Sequence, residues 1–243
     1  MVQAPQRTAL SGPTLVRLLA RLADADVPES RQTLADRLSQ WLGWTDAITL
    51  SSALNGSPPA VAGGARAPGG GDAERECARV RHELAQAVTR SRAAGASRRN
   101  GAMPAQPAAE TADFADFRQR YLSLQQEMET AIGQLRGRLR VALAARTPGM
   151  ARLATLDAIM ERVLGARERS LLATVPALLG AHFERLRDAE RQALGDAGES
   201  GNTAVTPGAW LDVFRKDMQS VLLAELEVRF QTVEGLLEAL RAS

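Results

Sequence analysis

Reactive side chains are scarce in this chain. Its 243 residues include two His, one Cys and one Tyr, and Lys216 is the single Lys. Metal sites and nucleophile–base pairs need several such groups at fixed spacings, so the shortage argues against most enzyme classes, and no catalytic, cofactor or metal residue is expected. Cys77 has no second cysteine to join, which excludes an internal disulfide and points to a reducing compartment. Long apolar runs are also missing. Arg17 and Arg21 interrupt the stretch 15–23, and no window approaches the roughly 20 apolar residues of a membrane-crossing helix. These absences favour a cytoplasmic protein, one that can stand against a membrane complex but does not pass through the bilayer.

What remains is rich in Ala, Leu and Arg and poor in Ile, Tyr, Phe and Thr, a balance that favours helix over strand. An all-α protein is expected. The formal charge is only +2, with basic residues in excess up to Arg146 and acidic ones beyond it. That asymmetry is too small to require nucleic acid, although it could steer an acidic partner toward the first part.

Apolar spacing divides the chain. A small helical unit is expected over 11–55, with Leu15, Leu18, Leu19 and Leu22 on one helix, Leu34, Leu38, Trp41 and Leu42 on a second, and Ile48, Leu50 and Leu54 on a third capped by Thr45. Residues 56–72 and 94–111 are Pro/Gly/Ala/Arg tracts that read as disordered, protease-sensitive linkers. Between them, 73–93 reads as an isolated amphipathic helix carrying Val80, Leu84 and Val88. From 112 to 243 the pattern predicts a long helical bundle. Its first seam is Phe114, Phe117, Tyr121, Leu124, Met128, Ile132, Leu135 and Leu139. The second is Leu153, Leu156, Met160, Val163, Leu171, Val175, Leu178 and Leu186, with Pro176 kinking or splitting it. The third runs from Leu211 through Phe214, Met218, Leu222, Leu226, Phe230, Val233 and Leu237 to Leu240, behind a Thr206 cap and Pro207 at the first helical position. The simplest architecture is an elongated antiparallel three-helix bundle with the small unit on flexible linkers.

Individual motifs yield little chemistry. His82 lacks the second His that a zinc-binding helix places four residues on, and the glycines of 63–71 lack the Gly-Lys-Ser or Gly-Lys-Thr of a phosphate loop. The acidic pairs Asp157/Glu161, Glu184/Asp188 and Glu234/Glu238 read as solvated faces. Arg136, Arg138 and Arg140 suit the C-terminal end of a helix dipole. With Arg66, Arg98 and Arg99 they are also candidate phosphate contacts, although no nearby aromatic offers a base-stacking platform. The most pointed feature is Trp41-Leu42-Gly43-Trp44 with Ile48 beyond. A unit this small has little core in which to hide two Trp, so at least one is a candidate anchor for another protein, with internal packing as the alternative.

The stretch SGPTLVRLLARLADADVPESRQTLADRLSQWLGWTDAITLSSAL resembles the opening of a proteobacterial family of unknown function. The likeness lies in Leu-Val-Arg-Leu-Leu, Ala-Asp-Arg-Leu-Ser-Gln-Trp-Leu and Trp-Thr-Asp-Ala-Ile, followed by a variable linker and a helical C-terminal region. The resemblance implies no activity and no catalytic residue. It does imply a genetic neighbourhood containing an OmpA-like protein and a large membrane protein, hence a cytosolic accessory of an envelope complex. The expectation is therefore a non-enzymatic helical scaffold with a protein partner, self-associating through its long helices or binding a helical segment of another protein. A nucleic-acid-associated protein is the alternative.

Overall fold

The computed structural model describes residues 14–25, 32–56, 70–97, 112–200 and 206–242. Among them lie eight helices and no strand: α1 (Thr14–Ala23), α2 (Leu34–Trp41), α3 (Trp44–Asn55), α4 (Gly70–Ser97), α5 (Phe114–Ala144), α6 (Pro148–Leu172), α7 (Val175–Ser200) and α8 (Ala209–Arg241). The all-α class is as the composition indicates. Arg66, Arg98 and Arg99 fall outside the described residues, as does most of both expected linkers; where their ends are described, at 70–72 and 94–97, the chain belongs to α4.

Local chemistry sets the helix starts. The Asp113 carboxylate accepts from Ala115 N at 2.9 Å, and Thr147 Oγ1 accepts from Met150 N at 3.2 Å ahead of α6, which has proline in its first turn. Both satisfy donors that a helix leaves unpaired at its N-terminus. The start of α8 differs from expectation. Thr206 and Pro207 form a turn, and the cap is Gly208 at φ 83°, a left-handed conformation that glycine adopts without a Cβ penalty. Its N–H donates to Glu190 of α7 at 2.8 Å.

α5 and α8 form the central pair and run parallel. Phe114 meets Phe214 at 6.3 Å between ring centroids, and further along Tyr121 meets Glu225. α6 and α7 return antiparallel to them, with Arg169 on Glu129 at 3.1 Å and His182 on Asp217 at 2.9 Å. α4 lies antiparallel along the same central pair, from Arg241 against Glu74 at one end to Gln219 against Thr89 at the other. The three-rod arrangement thus becomes four rods, one of them segmented. α4 is not an isolated helix: Ala73, Cys77, Val80, Leu84 and Val88 are all buried in the common core. The seam begins in small residues, which a search for large apolar side chains passes over.

The break between α6 and α7 falls at Ala173 and Thr174, just ahead of Pro176. Proline lacks the N–H that would continue the ladder. Thr174 bridges the gap, its hydroxyl donating to Leu171 O at 2.7 Å and its own carbonyl accepting from Ala177 N at 3.2 Å. The α8 seam is buried throughout, as its spacing indicates. The second seam is not as expected. Ala154, Leu172 and the expected Val175 join the common core, Ala151 and Ile159 are buried outside it, and of the other expected members Leu156, Met160, Val163, Leu178 and Leu186 are half-buried while Leu153 and Leu171 are exposed. Alanines are among the buried residues of α6, and Leu153 and Leu171 were the wrong markers of its covered faces.

An aromatic cluster closes one end of the bundle. Phe183 is fully buried, with Trp210 at 4.8 Å and Phe214 at 5.0 Å, both edge-on, a geometry that aromatic quadrupoles favour. α7 approaches closely enough that a Cβ on Gly180 would lie 2.9 Å from the Phe114 ring.

The segment 11–55 does not form one compact unit. α1 packs on α7 and α8 through buried Leu15, Ala20 and Leu22, with Arg185 donating to the Leu22 carbonyl. α3 packs instead on α6. The N-terminal helices lean on different parts of the large bundle because their inward faces are too small to form a core among themselves.

Candidate interaction surface

α2 and α3 start in the same way. The Thr33 hydroxyl accepts from Asp36 N at 3.2 Å while the Asp36 carboxylate accepts from Thr33 N at 3.0 Å. The Thr33 hydroxyl also donates to that carboxylate at 2.7 Å, and this bond first, then the one from Thr33 N, holds the Asp36 carboxyl below its ordinary pKa. At α3, Asp46 accepts from Gly43 N at 3.2 Å, so the helix begins at Trp44 and Thr45 is already inside it. At the other end Gly56 N donates to Ser52 O at 2.8 Å. A Cβ on Gly56 would sit 2.7 Å from that carbonyl oxygen, which excludes larger residues without a backbone shift.

The orientation of α3 is unusual. Its half-buried positions are Asp46, Thr49, Leu50 and Ala53, while Trp44, Thr45, Ala47, Ile48, Ser51, Ser52, Leu54 and Asn55 are exposed. At 3.6 residues per turn these two sets lie on opposite faces, so α3 turns a Trp, an Ile and a Leu outward. Exposure reaches 83% for Trp44, 52% for Ile48 and 53% for Leu54. Trp41 and Leu42 are half-buried; the Arg167 guanidinium lies over the Trp41 ring at 5.7 Å and ties α2 to α6. Arg152 donates to Gly56 O at 3.3 Å and ties down the far end of α3. The segment is therefore held to α6 just before α3, at Trp41, and just after it, at Gly56, with three large apolar side chains of α3 outward.

The described arginine candidates form a different arrangement. Arg136 meets Asp157 at 2.7 Å and Glu161 at 3.3 Å; Arg140 meets the same carboxylates at 3.0 and 2.6 Å. Arg138 pairs with Glu76 of α4 at 2.9 Å. These three side chains brace α5 against its neighbours, and their charges are already met, which removes the basis for reading them as free phosphate ligands. Asp157 and Glu161 are likewise an inter-helix clamp rather than a solvated face.

A buried polar node lies mid-bundle, and the seam reading passed over it. Glu225 is fully buried. It accepts from the Tyr121 hydroxyl at 2.6 Å, from Gln125 at 3.0 Å and from Arg229 at 3.0 Å, and Arg229 reaches on to Glu168 at 2.9 Å. Gln125 also donates to Leu172 O, at 3.4 Å, satisfying a carbonyl at the end of α6. Burial, and then the Glu225 charge, push the Tyr121 phenol far above its ordinary pKa. The sequence signal was Glu225 and Arg229 at seam positions between Leu222 and Val233. With every partner satisfied, this node links three helices and has no free reactive group.

A groove of about 420 Å³ separates α4 from α8. Its floor includes buried Cys77, Phe230 and Val233, and its rim is bridged by Arg81 to Glu234 and Arg241 to Glu74. Burial foremost raises the Cys77 pKa, which keeps the thiol protonated and unreactive. Among the described residues no group of three or more His, Cys, Asp or Glu is placed to hold a metal ion, and no helix is long and apolar enough to cross a membrane.

These features define an all-helical protein, a segmented four-rod bundle that displays a short apolar helix on its flank. The chain belongs to the family described as Protein of unknown function (DUF3348), whose model matches residues 1–242. No curated protein and no solved structure matches it.

Proposed function

We propose that this protein is a non-enzymatic helical scaffold that docks a protein partner on the outward face of α3. The observation that carries this reading is the exposure of Trp44, Ile48 and Leu54 on one short helix whose flanking residues Trp41 and Gly56 are held against α6. Exposed clusters of this kind mark interaction sites, and a Trp is the commonest type of anchor. The bundle supplies the rigid support. Its long seams are filled within one chain, so partner binding falls to the flank rather than to those seams. The small number of reactive side chains supports the same reading, and a cytoplasmic location beside an envelope complex is the setting that the family resemblance implies for it.

The test is affinity capture from the native host with the wild-type chain and with Trp44→Glu and Ile48→Glu baits. A partner retained by wild type and lost from both variants supports docking at α3; a partner retained equally by all three places it elsewhere. Titration of labelled DNA and RNA at low salt tests the nucleic-acid alternative, because phosphate binding is strongest there.

A further inference from the structure

Resting on that docking reading, we propose that the occupant of the α3 face is a second copy of this chain, paired α3 to α3 antiparallel about a two-fold axis. Three observations converge on it. First, the exposed residues of α3 are Trp44, Thr45, Ala47, Ile48, Ser51, Ser52, Leu54 and Asn55, none of them charged. A partner bringing charged groups to this surface would lose their hydration and find no counter-charge. An identical uncharged face costs nothing of that kind.

Second, the spacing is its own mirror image. Trp44, Ile48, Ser51 and Asn55 follow at steps of four, three and four, which keeps them on one narrow stripe of the helix. Reversing the stripe about its midpoint places Trp44 opposite Asn55 of the other copy and Ile48 opposite Ser51. Large meets small at each position, Ala47 and Ser52 leave room beside them, and each pairing occurs twice, as an isologous contact requires.

Third, the area marks the contact as a transient one. α3 has 12 residues, a length of ~18 Å, and such a face covers on the order of 400 Å² per copy, about half of what a standard stable interface buries on each partner. The dimer is therefore weak and reversible.

Sedimentation equilibrium on the full chain tests this, from about 1 to about 300 μM, where weak dimers form. The average mass of wild type is expected to rise from the 26.0 kDa monomer toward twice that value. Ile48→Glu stays monomeric throughout, with an unchanged far-UV circular dichroism spectrum, because Ile48 lies outside the core. Val141→Glu, at a still more exposed apolar position on α5, associates like wild type. The exchange variant Ile48→Ser/Ser51→Ile keeps each large–small pair and restores association to within about threefold of wild type, whereas Ile48→Ser alone loses about tenfold or more. A wild-type chain monomeric across the range, an Ile48→Glu chain that still dimerises, or an exchange variant no better than Ile48→Ser overturns the proposal. A monomeric chain whose heterologous partner still depends on Trp44 and Ile48 overturns the self-pairing while leaving the docking surface in place; loss of both dependences removes the two together.

Discussion

Replacing Glu225 by Ala removes the one acceptor shared by Tyr121, Gln125 and Arg229 in the middle of the bundle. The Arg229 side chain is only 7% exposed, and breaking a buried pair on one side costs about 3–5 kcal/mol because a charge is left uncompensated. Its second contact, to the half-exposed Glu168, and relaxation toward solvent favour the lower end, so a loss of ~3 kcal/mol is expected. For a chain of this size that corresponds to a fall in Tm of roughly 6–12 °C. Urea denaturation followed by far-UV circular dichroism measures it. Tyr121→Phe removes a single hydrogen bond and costs about 1–2 kcal/mol. Combined with Glu225→Ala it costs less than the sum, by at least about 0.5 kcal/mol, since both act on one network. Glu225→Leu/Arg229→Leu replaces both charges by apolar groups and is less destabilising than Glu225→Ala. A Glu225→Ala loss below about 1 kcal/mol, or strict additivity with Tyr121→Phe, would refute the account of the node.

Gly180→Ala puts a methyl into the packed Phe114 ring and destabilises by about 1 kcal/mol despite the better helix propensity of Ala; Gly133→Ala and Gly235→Ala, where a Cβ meets nothing within 4 Å, each stabilise by about 0.5–1 kcal/mol, all read by thermal melts. Arg138→Ala, at a half-exposed pair, changes stability by less than about 1 kcal/mol, whereas Arg136→Ala, in a pair 10% and 14% exposed, costs about 2–3 kcal/mol. Alkaline pH destabilises the fold. The Cys77 thiol and Tyr121 phenol have raised pKa values when folded, so above about pH 8.5 and then 10 the unfolded chain releases protons that the folded chain keeps, and stability falls. In urea melts across that range, Cys77→Ala should remove the first part of the decline and Tyr121→Phe the second.

The helical class and the α8 seam were legible because strongly apolar Leu, Phe and Met mark one face over nine turns. The α6 face was not, because Ala151 and Ala154 are buried and carry almost no hydropathic contrast. α4 was half-legible: Val80, Leu84 and Val88 stood out, but Ala73 and Cys77 did not, and nothing in its own sequence named α5 and α8 as neighbours. The Trp41–Trp44 cluster was visible as residues, yet which ring faces outward depends on how Arg167 and Arg152 of α6 anchor the segment. The ion pairs of Arg136 and Arg140 are long-range, so sequence spacing shows helix-end charges and not the carboxylates 17 to 25 positions away that receive them. Glu225 stood openly at a seam position; a charged residue there asks for buried partners, and Tyr121 and Gln125 occupy the corresponding turns of α5.

The docking claim is tested most directly by placing a photoreactive amino acid at position 48 in the chain expressed in its native host, with position 141 as the exposed apolar control. The account predicts a defined covalent adduct on irradiation from position 48 and none of comparable yield from position 141. No adduct from position 48, or equal adducts from both positions, would contradict it.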